Sequence, residues 1–147
     1  MLKLGGVIMV CVFLTCCSGT RLSTLGIKDG RLAPCPGSPN CVSTQAQDEK
    51  HRIDPLKYTG TQDQAKQRLV QVISTMPRAR VITDEQGYLH VEFTSLIFRF
   101  VDDVEFFFDD ANKLIHFRSA SRTGYSDLGV NRKRMEEIRK RFEHPPL

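Results

Sequence analysis

The densest group of polar side chains lies between residues 118 and 132, where the chain reads RSASRTGYSDLGVNR. This stretch leaves a predicted strand, passes two glycines and enters a predicted helix. Backbone amides at the start of a helix attract anions, and nearby guanidinium groups add donors that match carboxylates and phosphates. The pattern therefore predicts an anion-binding surface, whose candidate ligand-binding residues are Arg118, Ser119, Ser121, Arg122, Tyr125, Ser126, Asp127, Asn131 and Arg132.

A purely structural loop is the alternative interpretation of the same stretch. In that case Ser126 or Asp127 caps the following helix and Asn131 ties the turn. Arg118 would then pair with Glu105 on the neighbouring strand. A catalytic serine is not favoured, because in the stretch GYSDLG the second glycine, Gly129, comes one residue too late for a nucleophile elbow.

Histidines and carboxylates on the predicted strands form a second candidate set. Two histidines and two glutamates could bind zinc if they converged. Arg118 beside them would repel a cation, and their alternation along the strands is typical of a solvated outer face. No metal site is assigned to this set, which consists of His90, Glu92, Glu105 and His116.

Asp102 and Asp103 are the candidates for acid–base chemistry, together with His116. Paired carboxylates of this kind would suit a hydrolase of the cell envelope. A turn at the entry of a strand is the favoured interpretation of the two aspartates. No catalytic residue and no cofactor are therefore assigned.

The N-terminal residues predict export from the cytosol. Residues 1–17 read MLKLGGVIMVCVFLTCC, in which Lys3 precedes an uncharged apolar run. The run would span about 16 Å as a helix, short of the ~30 Å bilayer core, which is typical of a signal peptide. The letters LTCC resemble the lipobox of bacterial lipoproteins, with Cys17 as the lipidated residue and Cys16 as the alternative. A cleaved signal without a lipid is the competing interpretation.

These features divide the chain into a signal peptide at residues 1–16, a lipidated tether at 17–28 and a single domain at 29–147. Ser18 after the lipid site favours the outer membrane, by similarity to sorting in enterobacteria. The protein is therefore expected in the cell envelope, anchored by its lipid and facing the periplasm.

Cys35 and Cys41 remain once the leader and the lipid site account for the other three of the 5 cysteines. An exported chain with one leftover pair most simply forms a disulfide, which would be structural. A redox or metal role has weaker support, because the pair does not form a C-x-x-C motif.

Hydrophobic periodicity predicts the elements that position these residues. A helix begins at Thr61, whose hydroxyl opens a capping box with Gln64, and Pro77 ends it. Four strands follow, and a flip of the apolar phase near Ser95 predicts a bulge or a crossing segment there. A last helix covers about residues 130–142. Its many basic residues are expected on a solvated face, and a face that lies on anionic lipid is the alternative.

The predicted fold class is α+β, with an antiparallel four-stranded meander flanked by an N-terminal and a C-terminal helix. An irregular N-terminal arm carries the disulfide. Pairing Phe106 with Phe117 places Glu105 opposite Arg118, on the other face of the sheet. A chain of 147 residues has room for one domain, and its net charge of +4 is too small to predict binding to nucleic acid.

Four motifs resemble one known family. They are CPGSPNCVS from residue 35, HRIDPL from residue 51, FVDDV from residue 100, and the stretch 118–132. All four are similar to domain of unknown function fourteen-ninety-nine (DUF1499), whose members occur in bacterial envelopes, often as lipoproteins, and in plant plastids. The likeness spans about residues 30–142. It implies a single domain, and it brings no agreed activity, cofactor or catalytic residue.

Three functions are compatible with these features. The favoured one is a lipid-anchored, non-enzymatic binding module for an anionic ligand, a lipid headgroup or a protein of the envelope. Its surface would be the loop 118–132 with the adjacent Cys35–Cys41 arm. An envelope hydrolase and a structural partner in an envelope assembly are the alternatives.

Overall fold

The computed structural model describes residues 24–144 of the chain. The signal peptide and the lipidation of Cys17 or Cys16 fall outside the described residues. They stay predictions.

One antiparallel sheet forms the centre of the domain. Its strands are β1 (Cys41–Ser43), β2 (Leu56–Lys57), β3 (Ala79–Glu85), β4 (Tyr88–Thr94), β5 (Val101–Asp109) and β6 (Leu114–Ser121). They lie in the order β1-β6-β5-β4-β3, and β2 also pairs with β6. The predicted meander of β3 to β6 is confirmed. The arm, which was expected to be irregular, adds the two short strands beside β6.

Two helices, α1 (Gln62–Ser74) and α2 (Val130–Glu143), share one buried cluster with the sheet. The predicted capping box is present at the start of α1: Thr61 Oγ1 accepts from the Gln64 amide at 3.2 Å, and Gln64 Oε1 accepts from the Thr61 amide at 3.0 Å. The α+β fold class is therefore confirmed. Within residues 24–144, neither helix has the length and apolar character needed to cross a bilayer.

The hydrophobic core fills the space between the helices and one face of the sheet. The register of the paired strands brings the core side chains together: Phe106 lies opposite Phe117, as predicted. Large side chains from both helices and the central strands are fully buried there; they are Leu69, Ile73, Leu89, Val91, Val104, Phe106, Ile115, Phe117, Met135 and Ile138.

Two local expectations are wrong. The phase flip near Ser95 is neither a bulge nor a crossing segment, because residues 95–100 form the loop between β4 and β5 and their apolar side chains are exposed. Asp102 and Asp103 do not form an entry turn either. Both lie inside β5 and are buried. Burial of these two carboxylates is tolerated because each has an arginine partner.

Candidate functional site

The sheet face opposite the helices carries a buried layer of polar side chains. His90, Glu105 and Arg118 are each at most 3% exposed. The prediction of a solvated outer face is therefore wrong for these residues. The physical reason is that the chain from Thr24 onward lies against this face, where the Gly26 amide donates to Glu105 Oε1 at 2.7 Å. Residues 24–28, expected to be tether, thus include contacts with the sheet.

Glu105 accepts hydrogen bonds from several elements. Its Oε1 accepts from the Tyr88 hydroxyl at 2.8 Å as well as from Gly26. Its Oε2 lies 3.4 Å from Arg118 Nη1, so the predicted cross-strand ion pair is confirmed. Burial and the adjacent Glu105 carboxylate raise the pKa of Tyr88 above its ordinary value, so the hydroxyl remains protonated and keeps donating.

Asp103 is the second buried carboxylate of this layer. Arg122 donates two hydrogen bonds to this carboxylate, from Nε at 2.8 Å and from Nη2 at 2.7 Å. His90 Nε2 lies 2.8 Å from Asp103 Oδ1. Burial by itself would raise the pKa of Asp103, but hydrogen bonds from Arg122 and His90 lower it to about 2. Asp103 is therefore ionised and fully paired at neutral pH, which is unsuitable for a general acid or base.

The other two residues of the hydrolase hypothesis lie apart from Asp103. Asp102 projects from the opposite face of β5 and pairs with Arg134 of α2. His116 lies opposite Phe107, about 13 Å along the sheet from Asp103, and its Nδ1 is 3.2 Å from Thr44 Oγ1. These three side chains do not form one acid–base site.

Backbone amides at the start of α2 already donate hydrogen bonds to the side chain of Asp127. Asp127 accepts from the Gly129 amide at 3.0 Å and from the Asn131 amide at 2.8 Å. Ser126 Oγ accepts from the Leu128 amide at 3.3 Å. The capping role in the structural interpretation is therefore present for Asp127, and these two amides are not open to an external anion.

Asn131 and Ser119 belong to a buried network that joins α2 to the sheet. Asn131 Nδ2 donates to the Asn40 carbonyl at 3.1 Å and to Ser121 Oγ at 3.0 Å. Its Oδ1 accepts from Ser119 Oγ and from Arg134 Nη1. Both Asn131 and Ser119 are fully buried, so they act in packing and not at a surface.

The three arginines of the predicted anion site do not converge. Arg132 turns away and donates to the carbonyls of Lys50 and Arg52, both at 3.0 Å. Arg118 and Arg122 remain neighbours on the polar face. Tyr125 lies on the exposed loop between β6 and α2, with 73% of its surface accessible.

Arg118 and Arg122 line a cleft of about 430 Å³, here called the arginine cleft. One wall is the start of the β6–α2 loop, and the other is the disulfide arm. The predicted Cys35–Cys41 disulfide is confirmed. Asn40 Nδ2 links the two walls by donating a hydrogen bond to the Gly124 carbonyl at 2.6 Å. The loop and the arm are therefore neighbours, as expected from the sequence.

Arg118, which lines the arginine cleft, carries one unsatisfied buried donor. In residues 24–144, Arg118 Nε is the buried side-chain nitrogen or oxygen atom that has no hydrogen-bond partner. The contact of Arg118 with Glu105 is long, at 3.4 Å. A guanidinium group carries five N–H donors, so Arg118 has unused hydrogen-bonding capacity.

Some of the residues in this region were not found by sequence reasoning. Tyr88 shares the alternating outward face with His90, so the period of two could have identified it. Nothing in the sequence indicates Gly26, which lies 79 residues from its partner Glu105. Within the described residues, no three His, Cys, Asp or Glu side chains are grouped so as to hold a metal ion.

Comparison with known proteins identifies a family. The family model described as protein of unknown function (DUF1499) matches residues 31–142, which include the sheet, the disulfide arm and most of both cleft walls. No curated protein and no solved structure matches at a significant level. Because the family model covers most of the chain, this protein belongs to the DUF1499 family.

Proposed function

We propose that this protein is a lipid-anchored component of the bacterial cell envelope, facing the periplasm, whose domain binds an anionic group in the arginine cleft. The proposed anchor is Cys17, and Ser18 favours the outer membrane. The ligand would be a carboxylate or a phosphate, free or carried by a lipid headgroup or a protein. The domain is proposed to bind and not to catalyse.

The observation that carries this proposal is the state of Arg118. The residue lines a cleft of about 430 Å³, its side chain is 3% exposed, and its buried Nε has no hydrogen-bond partner in the described residues. Leaving a buried donor unpaired costs about 1–3 kcal/mol, so a ligand oxygen that pairs with it gains binding energy. Arginine also presents a planar fork that suits carboxylates and phosphates.

Charge alone does not favour an anion in this cleft. Arg118 faces Glu105, and Arg122 faces both Asp103 and Glu92, so neither cation is uncompensated. The ligand must therefore be recognised through directed hydrogen bonds to N–H groups. We expect modest affinity with a strong dependence on the shape of the anion.

The test is calorimetric titration of the full chain with inorganic phosphate and with acetate. The Arg118→Lys variant keeps the positive charge beside Glu105 but removes the Nε–H donor, so we expect about tenfold weaker binding. Arg132→Ala is the matched control, since Arg132 lies outside the cleft. Equal affinities in the wild type and in a folded Arg118→Lys variant would refute the cleft as the binding site.

The anchor is tested separately by mass spectrometry of the protein purified from membranes. We expect a mature chain that begins at an acylated Cys17. An acylated Cys16 would move the site by one residue, and a soluble chain that retains its first methionine would refute export and anchoring together.

A further inference from the structure

The loop between β4 and β5 exposes a group of large apolar side chains. Its neck is closed by the Ser95 amide donating to the Phe100 carbonyl at 2.8 Å. At its tip Leu96, Ile97 and Phe98 are 70%, 78% and 69% exposed. Exposed apolar groups of this size mark sites that contact a membrane or another protein.

The β6–α2 loop presents further apolar side chains at the same end of the sheet. The Arg122 amide donates to the Val101 carbonyl at 3.1 Å, so both loops leave from neighbouring strand ends. Of the nine large apolar side chains exposed in residues 24–144, seven lie on these two loops or at the start of α2; they are Leu96, Ile97, Phe98, Phe100, Tyr125, Leu128 and Val130. We call these seven residues the apolar end.

Exposed cations border the apolar end. Arg99 lies within the β4–β5 loop, Arg78 is fixed beside it by donating from Nε to the Thr94 carbonyl at 2.9 Å, and Lys133 lies in the first turn of α2. The opposite end of the sheet, here called the acidic end, presents the exposed carboxylates Glu85 and Asp110, of which Asp110 pairs with Lys113 at 2.7 Å. An apolar tip surrounded by cations is complementary to a bilayer that contains anionic lipids.

The chain also enters the domain at this end. Thr24 lines the arginine cleft together with Thr123 and Gly124 of the β6–α2 loop. Six residues separate it from Cys17, and the seven Cα–Cα steps between the two span at most about 25 Å when fully extended. An acyl chain on Cys17 would therefore hold the apolar end, and not the acidic end, close to the bilayer surface.

We propose that the apolar end inserts into the surface of an anionic bilayer, so that the β4–β5 and β6–α2 loops face the membrane. The Leu96–Phe100 tip enters the region between headgroups and acyl chains, and the bordering arginines and lysine contact lipid phosphates. This inference deepens the proposed function and takes its lipid anchor as given. It also places the mouth of the arginine cleft next to the headgroups.

The experiment uses the absence of tryptophan from this chain. The Phe98→Trp variant introduces one fluorophore at the apolar end, and Ala111→Trp introduces one in the exposed β5–β6 turn at the acidic end as the matched control. Each full-length protein is reconstituted with vesicles of phosphatidylethanolamine and phosphatidylglycerol that carry brominated acyl chains. We expect a blue-shifted emission and several-fold stronger quenching for Phe98→Trp than for Ala111→Trp.

Equal quenching in the two variants would overturn the docking proposal. A blue shift of Phe98→Trp without quenching by bromine would overturn it as well, and would indicate a protein contact at the apolar end. Quenching of Phe98→Trp that weakens when phosphatidylcholine replaces phosphatidylglycerol would support the role of the cations.

Flotation separates this proposal from the proposed anchor. Wild-type protein that floats with vesicles, while its Cys17→Ala variant does not, supports the anchor whatever the quenching result. Selective quenching of Phe98→Trp with no effect of Cys17→Ala on flotation would overturn Cys17 as the anchoring residue and leave docking supported. Failure of both flotation and quenching would overturn both.

Discussion

Buried charged side chains are the feature of individual residues that distinguishes this domain. Asp103 and Glu105 are both fully buried in β5, each with an arginine partner that lies on β6 or directly after it. A buried carboxylate that loses its partner is strongly destabilising, because its desolvation is no longer offset. The arginine partners are therefore required for these two carboxylates to remain buried.

Asp103 gives a prediction about acid stability. Its pKa in the folded protein is about 2, against an ordinary value of 3.8, so its contribution to stability is complete above the ordinary value and is lost as the pH falls towards 2. The difference corresponds to about 2 kcal/mol of unfolding free energy. Urea unfolding from about pH 5 to about pH 2 should show this loss in the wild type.

The Asp103→Asn variant should be less stable at neutral pH, and its unfolding free energy should depend less on pH over the same range. Asp54→Asn is the matched control, because the Asp54 side chain is exposed. An unchanged pH dependence in Asp103→Asn would show that another group is responsible.

At the scale of elements, local signals determine α1 more completely than α2. The first helix has a reciprocal capping box at Thr61. The second has Gly129 at its N-cap position, with a positive φ of 79° and no side-chain cap from that residue. Asp127, two residues earlier, accepts hydrogen bonds from the Gly129 and Asn131 amides instead. The loop before α2 is therefore part of the structure of the helix, which limits how far it can change shape to accommodate a ligand.

Removing the α1 cap tests this view. We expect Thr61→Ala to lower the unfolding free energy by about 1 kcal/mol, because the Gln64 amide loses its acceptor. Chemical denaturation is the measurement. The exposed Thr59, which precedes the cap, supplies the control Thr59→Ala, and an equal loss in both variants would contradict a capping effect.

For the molecule as a whole, the sheet separates two unlike layers. The helices cover one face with an apolar core, and the N-terminal arm contacts the other face over paired charges. The disulfide ties this arm to β1, and β1 pairs with β6. The arginine cleft, the apolar end and the entry of the chain consequently lie together at one end of the molecule.

Loss of the disulfide should affect the stability of the entire domain. Replacing Cys35 and Cys41 by serine removes a short closed loop, and we expect roughly 2–3 kcal/mol less unfolding free energy. Urea denaturation with and without reductant measures this difference. Reductant should destabilise the wild type to the level of the double variant and leave the double variant unchanged; any further effect on the double variant would contradict this cause.

Local and periodic patterns were sufficient for most of the fold. Strands β3 to β6, both helices, the Phe106–Phe117 pairing and the Cys35–Cys41 bond were all predictable, because each depends on neighbours in sequence or on a period of two or 3.6 residues. The same information predicted the ion pair of Glu105 with Arg118, since register along paired strands follows from their apolar faces.

Only the tertiary structure decided what covers the polar face of the sheet and which arginines meet. Alternation of polar residues predicts a face, but it does not distinguish water from a covering segment that comes from 79 residues away. Arg118, Arg122 and Arg132 are close in sequence. Arg132 lies in α2, however, whereas Arg118 lies in β6 and Arg122 directly after it. Their separation, like the common location of the two apolar loops, results from how the elements pack in three dimensions, and no local pattern of residues encodes it.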